Sequence, residues 1–387
     1  MRNLLLNRAV CSLPMALAAL AAAQLANSQT FNLVHTFSGA DGATPFANLL
    51  LNGTTLYGTT SGGGAHNAGA VFTVNTTTNA EAVLHSFAGG AADGADPIGG
   101  VIRDPSGNLY GTTAGGGAHF LGTVYKIPTS GPFTLLHSFA GAPTEGSGPA
   151  GTLVRDYAGN LYGTTYTGGD TTGWGTCFEI TAAGTYITGQ SFSPDGALPR
   201  SGLSLVNGLL YGTTYGGGAH AYAGTIYQVT VSTALFTFTG GPDGSQPMGS
   251  LISDGSGNLL GTASAGGDGL FGNGHGVVFS FNIASGKMTV LHTFKGSDGA
   301  APAGSLLRDS SGNLYGTTML GGAANHGTVF KLDTSGTLTT LYSFTGGADG
   351  ANPVAGLVMD SAGNLWGVAS AGGSGYGTVF EIVPAAT

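Results

Sequence analysis

The pentapeptide Leu-Tyr-Gly-Thr-Thr occurs at residues 56–60 and returns from Leu109, Leu161, Leu210 and Leu314. Two altered copies, Leu-Leu-Gly-Thr-Ala at 259–263 and Leu-Trp-Gly-Val-Ala at 365–369, extend the series. The shared glycines are Gly58, Gly111, Gly163, Gly212, Gly261, Gly316 and Gly367, with spacings of 53, 52, 49, 49, 55 and 51. Seven copies at such a period imply one closed repeat architecture. They override the two or three domains that 387 residues would otherwise suggest.

The second repeat shows the unit. Val101, Ile102 and Arg103 form a short apolar strand a, and Asp-Pro-Ser-Gly-Asn at 104–108 has hairpin-turn composition. Residues 109–113 are strand b, rich in Thr and aromatic side chains. Gly-Gly-Gly-Ala-His at 115–119 reads as a flexible loop. Strand c follows at 123–127 and strand d at 133–139, ending in Leu-His-Ser-Phe. No stretch beyond the N-terminal leader has helical periodicity. Four short strands per repeat predict an all-β fold, a seven-bladed β-propeller of four-stranded blades.

The chain opens with a d strand, Val34-His35-Thr36-Phe37, and closes after a c strand at 378–382. The N-terminal strand is therefore expected to complete the last blade, which leaves no open sheet edge. Small residues lead into strand a, among them Gly99, Gly100, Gly151, Gly249, Gly304 and Ala355. Seven strands crowd together at a propeller axis, so strand a is expected to be innermost.

Lys and Arg number 10 against 19 acidic residues, and no basic cluster occurs. That excludes nucleic acid as a partner. Arg2 and Arg8, the apolar run at 13–23 and Ala26-Asn27-Ser28 fit an export signal, so residues 1–28 are expected to be removed and 29–387 to form a single domain. The apolar run is short for a membrane span, and no second one follows. A secreted, cell-surface or periplasmic monomer is expected. It would keep one cysteine, Cys177, where other repeats carry Val124, Val329 and Val379. A buried apolar role is expected there, not a reactive thiol.

In an up-and-down sheet the b–c and d–a loops leave one end of the blade, and the a–b and c–d turns leave the other. The d–a loops carry Asp41, Asp93, Glu145, Asp195, Asp243, Asp298 and Asp349, each followed by Gly. Such a pair builds turns, so this acidic ring reads as turn chemistry before it reads as a cation site. His66, His119 and His220 share one b–c position, with His275 and His326 nearby. They belong to separate blades, and no metal or other cofactor is expected. His35, His85, His137 and His292 lie in strand d, where Gln190, Phe236 and Tyr342 replace them. That position calls for a flat, half-buried side chain.

Blades 3 to 5 break the symmetry on the loop face. Tyr166, Asp170 and Trp174 replace the glycine loop of blade 3. Blade 4 supplies Arg200, Tyr215, His220 and Tyr222, and the longest b–c loop, in blade 5, holds Asp268, Phe271 and His275. Aromatics with an Arg and a few acids are what sugar or peptide recognition uses. These ten residues are the candidate ligand site. Gly-Asp-Gly-Leu-Phe-Gly at 267–272 matches a dinucleotide pattern, but it precedes a strand and has no helix N-terminus to offer. No H-E-x-x-H, C-x-x-C, P-loop or G-x-S-x-G motif occurs, and no catalytic residue is assigned.

The signature Gly-Asn-Leu-Tyr-Gly-Thr-Thr at 312–318, then Gly321-Gly322, then Gly-Thr-Val-Phe-Lys at 327–331, resembles bacterial proteins called choice-of-anchor tandem repeat GloVer-containing proteins. The resemblance covers nearly all of the chain after the leader. It implies an exported bacterial protein with a propeller-like fold, and no known activity. Such proteins often end in a surface-anchoring tail. This sequence stops at Pro-Ala-Ala-Thr, 384–387, which favours a freely secreted or periplasmic product. Kelch repeats share the period, but their regular later Trp is missing.

Three functions are open at this level. The first is a binding module for a glycan or an extracellular protein surface. The second is a carbohydrate-acting enzyme using Asp170, Asp268 or Glu145 with Arg200. The third is a structural cell-envelope protein.

Overall fold

The computed structural model describes residues 29–171, 173–218, 222–230, 233–269 and 273–385. Among them there is no helix, and the strands form seven antiparallel blades arranged as a seven-bladed β-propeller. Blade 2 is typical, running Ile102–Arg103, Leu109–Thr113, Thr123–Ile127 and Thr134–Ser138 in spatial order. The ring closes as the sequence predicts. Thr30–Thr36 is the outer strand of blade 7 and pairs with Thr378–Val383, from Thr30↔Val383 to Thr36↔Thr378.

Each letter of the repeat has a physical task. The motif glycine lies directly across from an aromatic residue of strand c: Gly58 opposite Phe72, Gly163 opposite Phe178, Gly316 opposite Phe330. A Cβ on any of these glycines would enter that ring. The aromatic ring in turn meets the buried Phe that closes strand d of the preceding blade. Phe37–Phe72, Phe139–Phe178, Phe192–Tyr227 and Phe344–Phe380 are edge-on pairs with centroids 5.0, 5.1, 4.8 and 5.2 Å apart. One such pair fills every seam, so the core is a ring of inter-blade aromatic contacts.

The two threonines divide their labour. The first reaches the neighbouring blade near the axis: Thr59 Oγ1 donates to Gly99 O at 3.0 Å and Thr317 Oγ1 to Ala355 O at 2.7 Å. The second bonds a Thr of strand c, as in Thr113–Thr123 at 2.7 Å and Thr318–Thr328 at 2.8 Å. In blade 1 the strand-c partner is Ala70, and the buried Thr60 Oγ1 is left without a hydrogen bond. The small residues ahead of strand a do face the axis. A Cβ on Gly99 would lie 2.7 Å from Gly151 O, and one on Gly304 2.6 Å from Ala355 O.

The Asp and Asn of the a–b turn form a clasp. Asp104 accepts from Asn108 N at 2.9 Å, Asn108 Nδ2 at 2.7 Å and Tyr110 Oη at 3.1 Å. Asp156, Asp309 and Asp360 repeat the clasp with Tyr162, Tyr315 and Trp366. Burial raises the Asp104 carboxyl, but its bonds from Asn108, Tyr110 and Ser106 outweigh burial and hold it below the ordinary 3.8. Asp156, Asp254 and Asp309 are lowered in the same way. A carboxyl lowered by folding stabilises above its unfolded pKa, and that contribution is lost as pH falls through the folded value. Thermal midpoints are therefore expected to hold down to about pH 4 and to drop below it. Asp309→Asn should be less stable at pH 7 and show a shallower acid loss. An equal acid slope in both proteins would remove the clasp from this account.

The loop face is locked blade to blade. The residue before each loop proline takes the left-handed conformation: Thr44, Asp96, Gly148, Leu198, Gln246, Ala301 and Asn352, with φ from 53° to 62°. Its N–H reaches the b–c loop of the preceding blade, as in Leu198 N to Trp174 O at 3.0 Å and Asn352 N to His326 O at 2.9 Å. The glycine-rich segment is not a flexible loop. Gly115–Gly116 pairs with Gly94–Ala95, and the other blades carry the same bridge, for example Ala43↔Gly62 and Ala351↔Ala371. These bridges place the d–a and b–c loops on one face.

Candidate functional site

The residue after each loop proline points the chain toward the mouth of the axis. Phe46, Ile98, Ala150, Arg200, Met248, Ala303 and Val354 line a small axial cavity of about 80 Å³. Six of these positions are apolar, and the seventh is a guanidinium. Symmetry breaks at Arg200.

Two tyrosines meet that cation. Tyr166 and Tyr215 follow the Thr-Thr pair in blades 3 and 4, where other repeats have Ser61, Ala114, Ser264, Met319 and Ser370. Arg200 Cζ lies 5.0 Å from the Tyr166 ring centre and 4.3 Å from that of Tyr215, and Nη2 donates to Tyr166 Oη at 3.2 Å. The ion pairs among the described residues all join a histidine to a carboxylate, and none involves Arg200. Ring faces hold the guanidinium plane by cation–π attraction, which leaves its N–H edge for a planar anion. A carboxylate fits that edge with two parallel hydrogen bonds.

The structure thus brings Tyr166, Arg200 and Tyr215 together. Trp174 is half-buried in the seam of Cys177, Phe192, Leu203 and Tyr227, where its indole packs blade against blade. Tyr222 stands 72% exposed on the blade 4 loop. Asp170 is exposed in the blade 3 loop, and its carbonyl accepts from Gly173 N at 3.2 Å. Asp268 and His275 pair within one loop, with Nδ1 to Oδ2 at 2.7 Å and His275 N to Oδ1 at 2.9 Å. Those bonds and the imidazole outweigh burial and hold the Asp268 carboxyl below its ordinary range. His220 and Phe271 lie outside the described residues.

The acidic ring serves the turns. Asp93 accepts from Ala88 N at 2.9 Å and Gly94 N at 2.8 Å, and Asp349 accepts from Thr345 N at 2.7 Å. Sequence reasoning missed the second partner of these acids, which is the strand-d histidine. His35–Asp41, His85–Asp93, His137–Glu145 and His292–Asp298 lie at 2.9, 3.1, 3.1 and 2.9 Å. Tyr342 replaces histidine against Asp349 at 3.0 Å. The signal was present in the sequence as a His or Tyr six to eight residues before five of the seven acids.

Sequence reasoning also missed a cleft of about 1350 Å³ between blades 3 and 4, opening toward the a–b turns. Ile187, Gly189, Leu203, Leu205, Leu210 and Val229 line it. Strand d carries Leu136 and Leu291 at the position of Gly189, and those leucines pack on the core of the next blade. Gly189 lines the cleft without a side chain, and a Cβ there would lie 2.9 Å from Cys177 O. Cys177 borders the cleft but is itself buried, and burial pushes its thiol up to about 12.

A family model described as the Gloeobacter/Verrucomicrobia repeat matches residues 22–227 and 218–387. The chain belongs to this repeat family. The resemblance to GloVer-containing proteins is borne out. Comparison with curated protein sequences finds no match. Among solved structures, a Bacteroides fragilis protein named as a candidate 6-phosphogluconolactonase is similar, with a TM-score of 0.50 and 20% identity over 81% of this chain and 87% of that one. A gluconolactonase from Xanthomonas campestris gives 0.48 and 12% over 94% and 92%. A nidogen/laminin complex gives 0.45 and 14% over 75% and 93%. At these identities the likeness is one of fold alone. No helix among the described residues is long and apolar enough to cross a membrane.

Proposed function

We propose that this Gloeobacter/Verrucomicrobia repeat propeller is an exported binding module, and that its loop face takes a carboxylate-bearing glycan at Arg200. One observation carries the reading. Arg200 is the sole cation in an otherwise apolar axial ring, held over Tyr166 and Tyr215 with no carboxylate of its own among the described ion pairs. Tyrosine faces suit the apolar faces of sugar rings, and a fixed guanidinium suits a uronate. Tyr222, exposed on the same loop face, extends the aromatic surface.

The acids considered for an enzyme have other partners. Glu145 is bonded to His137 at 3.1 Å and to Ala140 N at 2.9 Å, and Asp268 is bonded within its own loop. The test is an array of neutral and uronic acid polysaccharides probed with the purified protein. Binding is expected on the uronic acid members only. Equal binding to neutral members, or none at all, would count against the reading.

A further inference from the structure

Six residues before the Phe that closes strand d, the repeats carry Phe31, Glu81, Phe133, Tyr186, Ser232, Met288 and Leu338. Glu81 is the one charged residue in that series. Where a ring stands there, it stacks on the strand-d His or Tyr of the preceding blade. Phe133 lies 4.2 Å from His85, Tyr186 3.9 Å from His137 and Phe31 4.1 Å from Tyr342, centre to centre. Glu81 begins the outer strand of blade 1, Glu81–Ser86, so the side chain it faces is His35 of blade 7.

This substitution breaks the symmetry at the closure seam. In blades 1 and 2 the histidine of the His–acid pair is capped by an aromatic ring, Phe133 or Tyr186. Here His35 and Asp41, 2.9 Å apart, are capped by a second carboxylate. One ligand atom from each of His35, Asp41 and Glu81 falls within 4.8 Å of the others, and all three residues are half-buried. Glu81 Oε1 is shut off from solvent and has no hydrogen-bond partner. A half-buried carboxylate with an orphaned oxygen is costly unless something positive meets it.

We infer that His35 Nε2, Asp41 and Glu81 form a binding site for a first-row divalent cation such as Zn²⁺ at the seam between blades 7 and 1. His35 and Asp41 lie 2.9 Å apart and no ligand atom of the three is more than 4.8 Å from another, close to the roughly 3.4 Å expected between donor atoms on one tetrahedral ion with bonds of about 2.1 Å. One imidazole and two carboxylates suit such a cation, with water completing the shell. The ion takes the place of the proton shared between His35 and Asp41. Because His35 and Asp41 come from the N-terminal segment and Glu81 from the next blade, a bound ion ties the closing strand to blade 1. The site lies where two outer strands meet a d–a loop, separate from the axial ring at Arg200.

The test is titration calorimetry of the metal-stripped full chain with Zn²⁺, together with its melting temperature. One ion per chain is expected, with the midpoint rising by at least about 2 °C at a hundredfold excess over Kd. Glu81→Phe restores the ring that other blades carry, so it should fold and lose this binding. His35→Tyr copies the Tyr342–Asp349 pair and should do the same. Zn²⁺ binding that survives both substitutions would place the ion on the exposed loop histidines and overturn the inference. No binding by the parent chain would overturn it as well.

Discussion

Gly377→Ala is expected to destabilise the propeller by at least about 2 kcal/mol more than Gly363→Ala. The two glycines have nearly the same backbone, with φ of 93° and 88°. They differ in surroundings. A Cβ on Gly377 would lie 2.6 Å from Ala369 O and 2.6 Å from Pro45 Cδ, whereas one on Gly363 meets nothing within 4 Å. Gly363→Ala therefore measures left-handed strain alone, and Gly377→Ala adds a collision across the seam where the ring closes. The same contact recurs in every blade, for example Gly276 against Pro302. Urea midpoints for the two variants decide the matter. Equal losses would mean that the loop-face lock contributes little, and that the aromatic seams alone hold blade to blade.

Arg200→Gln is expected to weaken binding of a uronate ligand at least tenfold, which is about 1.4 kcal/mol. Charge-assisted bonds to a fixed guanidinium are worth about 1.5–3 kcal/mol, and glutamine keeps neither the charge nor the fork. Arg200→Lys keeps the charge on a flexible stem and should recover only part of the affinity. Tyr215→Ala should also weaken binding, because it removes the nearer of the two rings, at 4.3 Å. Arg200 is half-buried at the axial mouth. The melting temperature of Arg200→Gln should therefore stay close to that of the parent, which separates recognition from folding. Unchanged affinity in both Arg200 variants would move the ligand off this site.

The fold was readable because the repeat spells out local physics. Gly58 is a glycine because Phe72 needs its space, and Thr59 is a threonine because the next blade offers Gly99 O. Such constraints recur in each unit, so spacing alone exposes them. The closure was legible for the same reason, since a lone d strand at one end must pair with a lone c strand at the other. The site was legible only in pieces. Tyr166, Arg200 and Tyr215 stood out as departures from the repeat. Their meeting depends on how far the residue after Pro199 reaches over two adjacent blades, which no local pattern encodes. The glycine loop was misread as flexible because its composition hides the pairing of Gly115–Gly116 with Gly94–Ala95. Glu81 escaped notice because its importance lies in the ring it replaces, and that ring's partner belongs to a different repeat. Gly189 was likewise read as part of a strand ending, although it lines the cleft.

The most direct measurement is a calorimetric titration of the intact protein with an oligouronide and with its carboxyl-reduced counterpart of equal length. The two ligands share ring faces and ring hydroxyl groups, and differ where each carboxylate that Arg200 is placed to meet becomes a primary alcohol. Binding of the oligouronide, at least tenfold tighter than that of the reduced sugar and lost in Arg200→Gln, is the predicted result. Equal affinity for the two would contradict carboxylate recognition at the axial mouth.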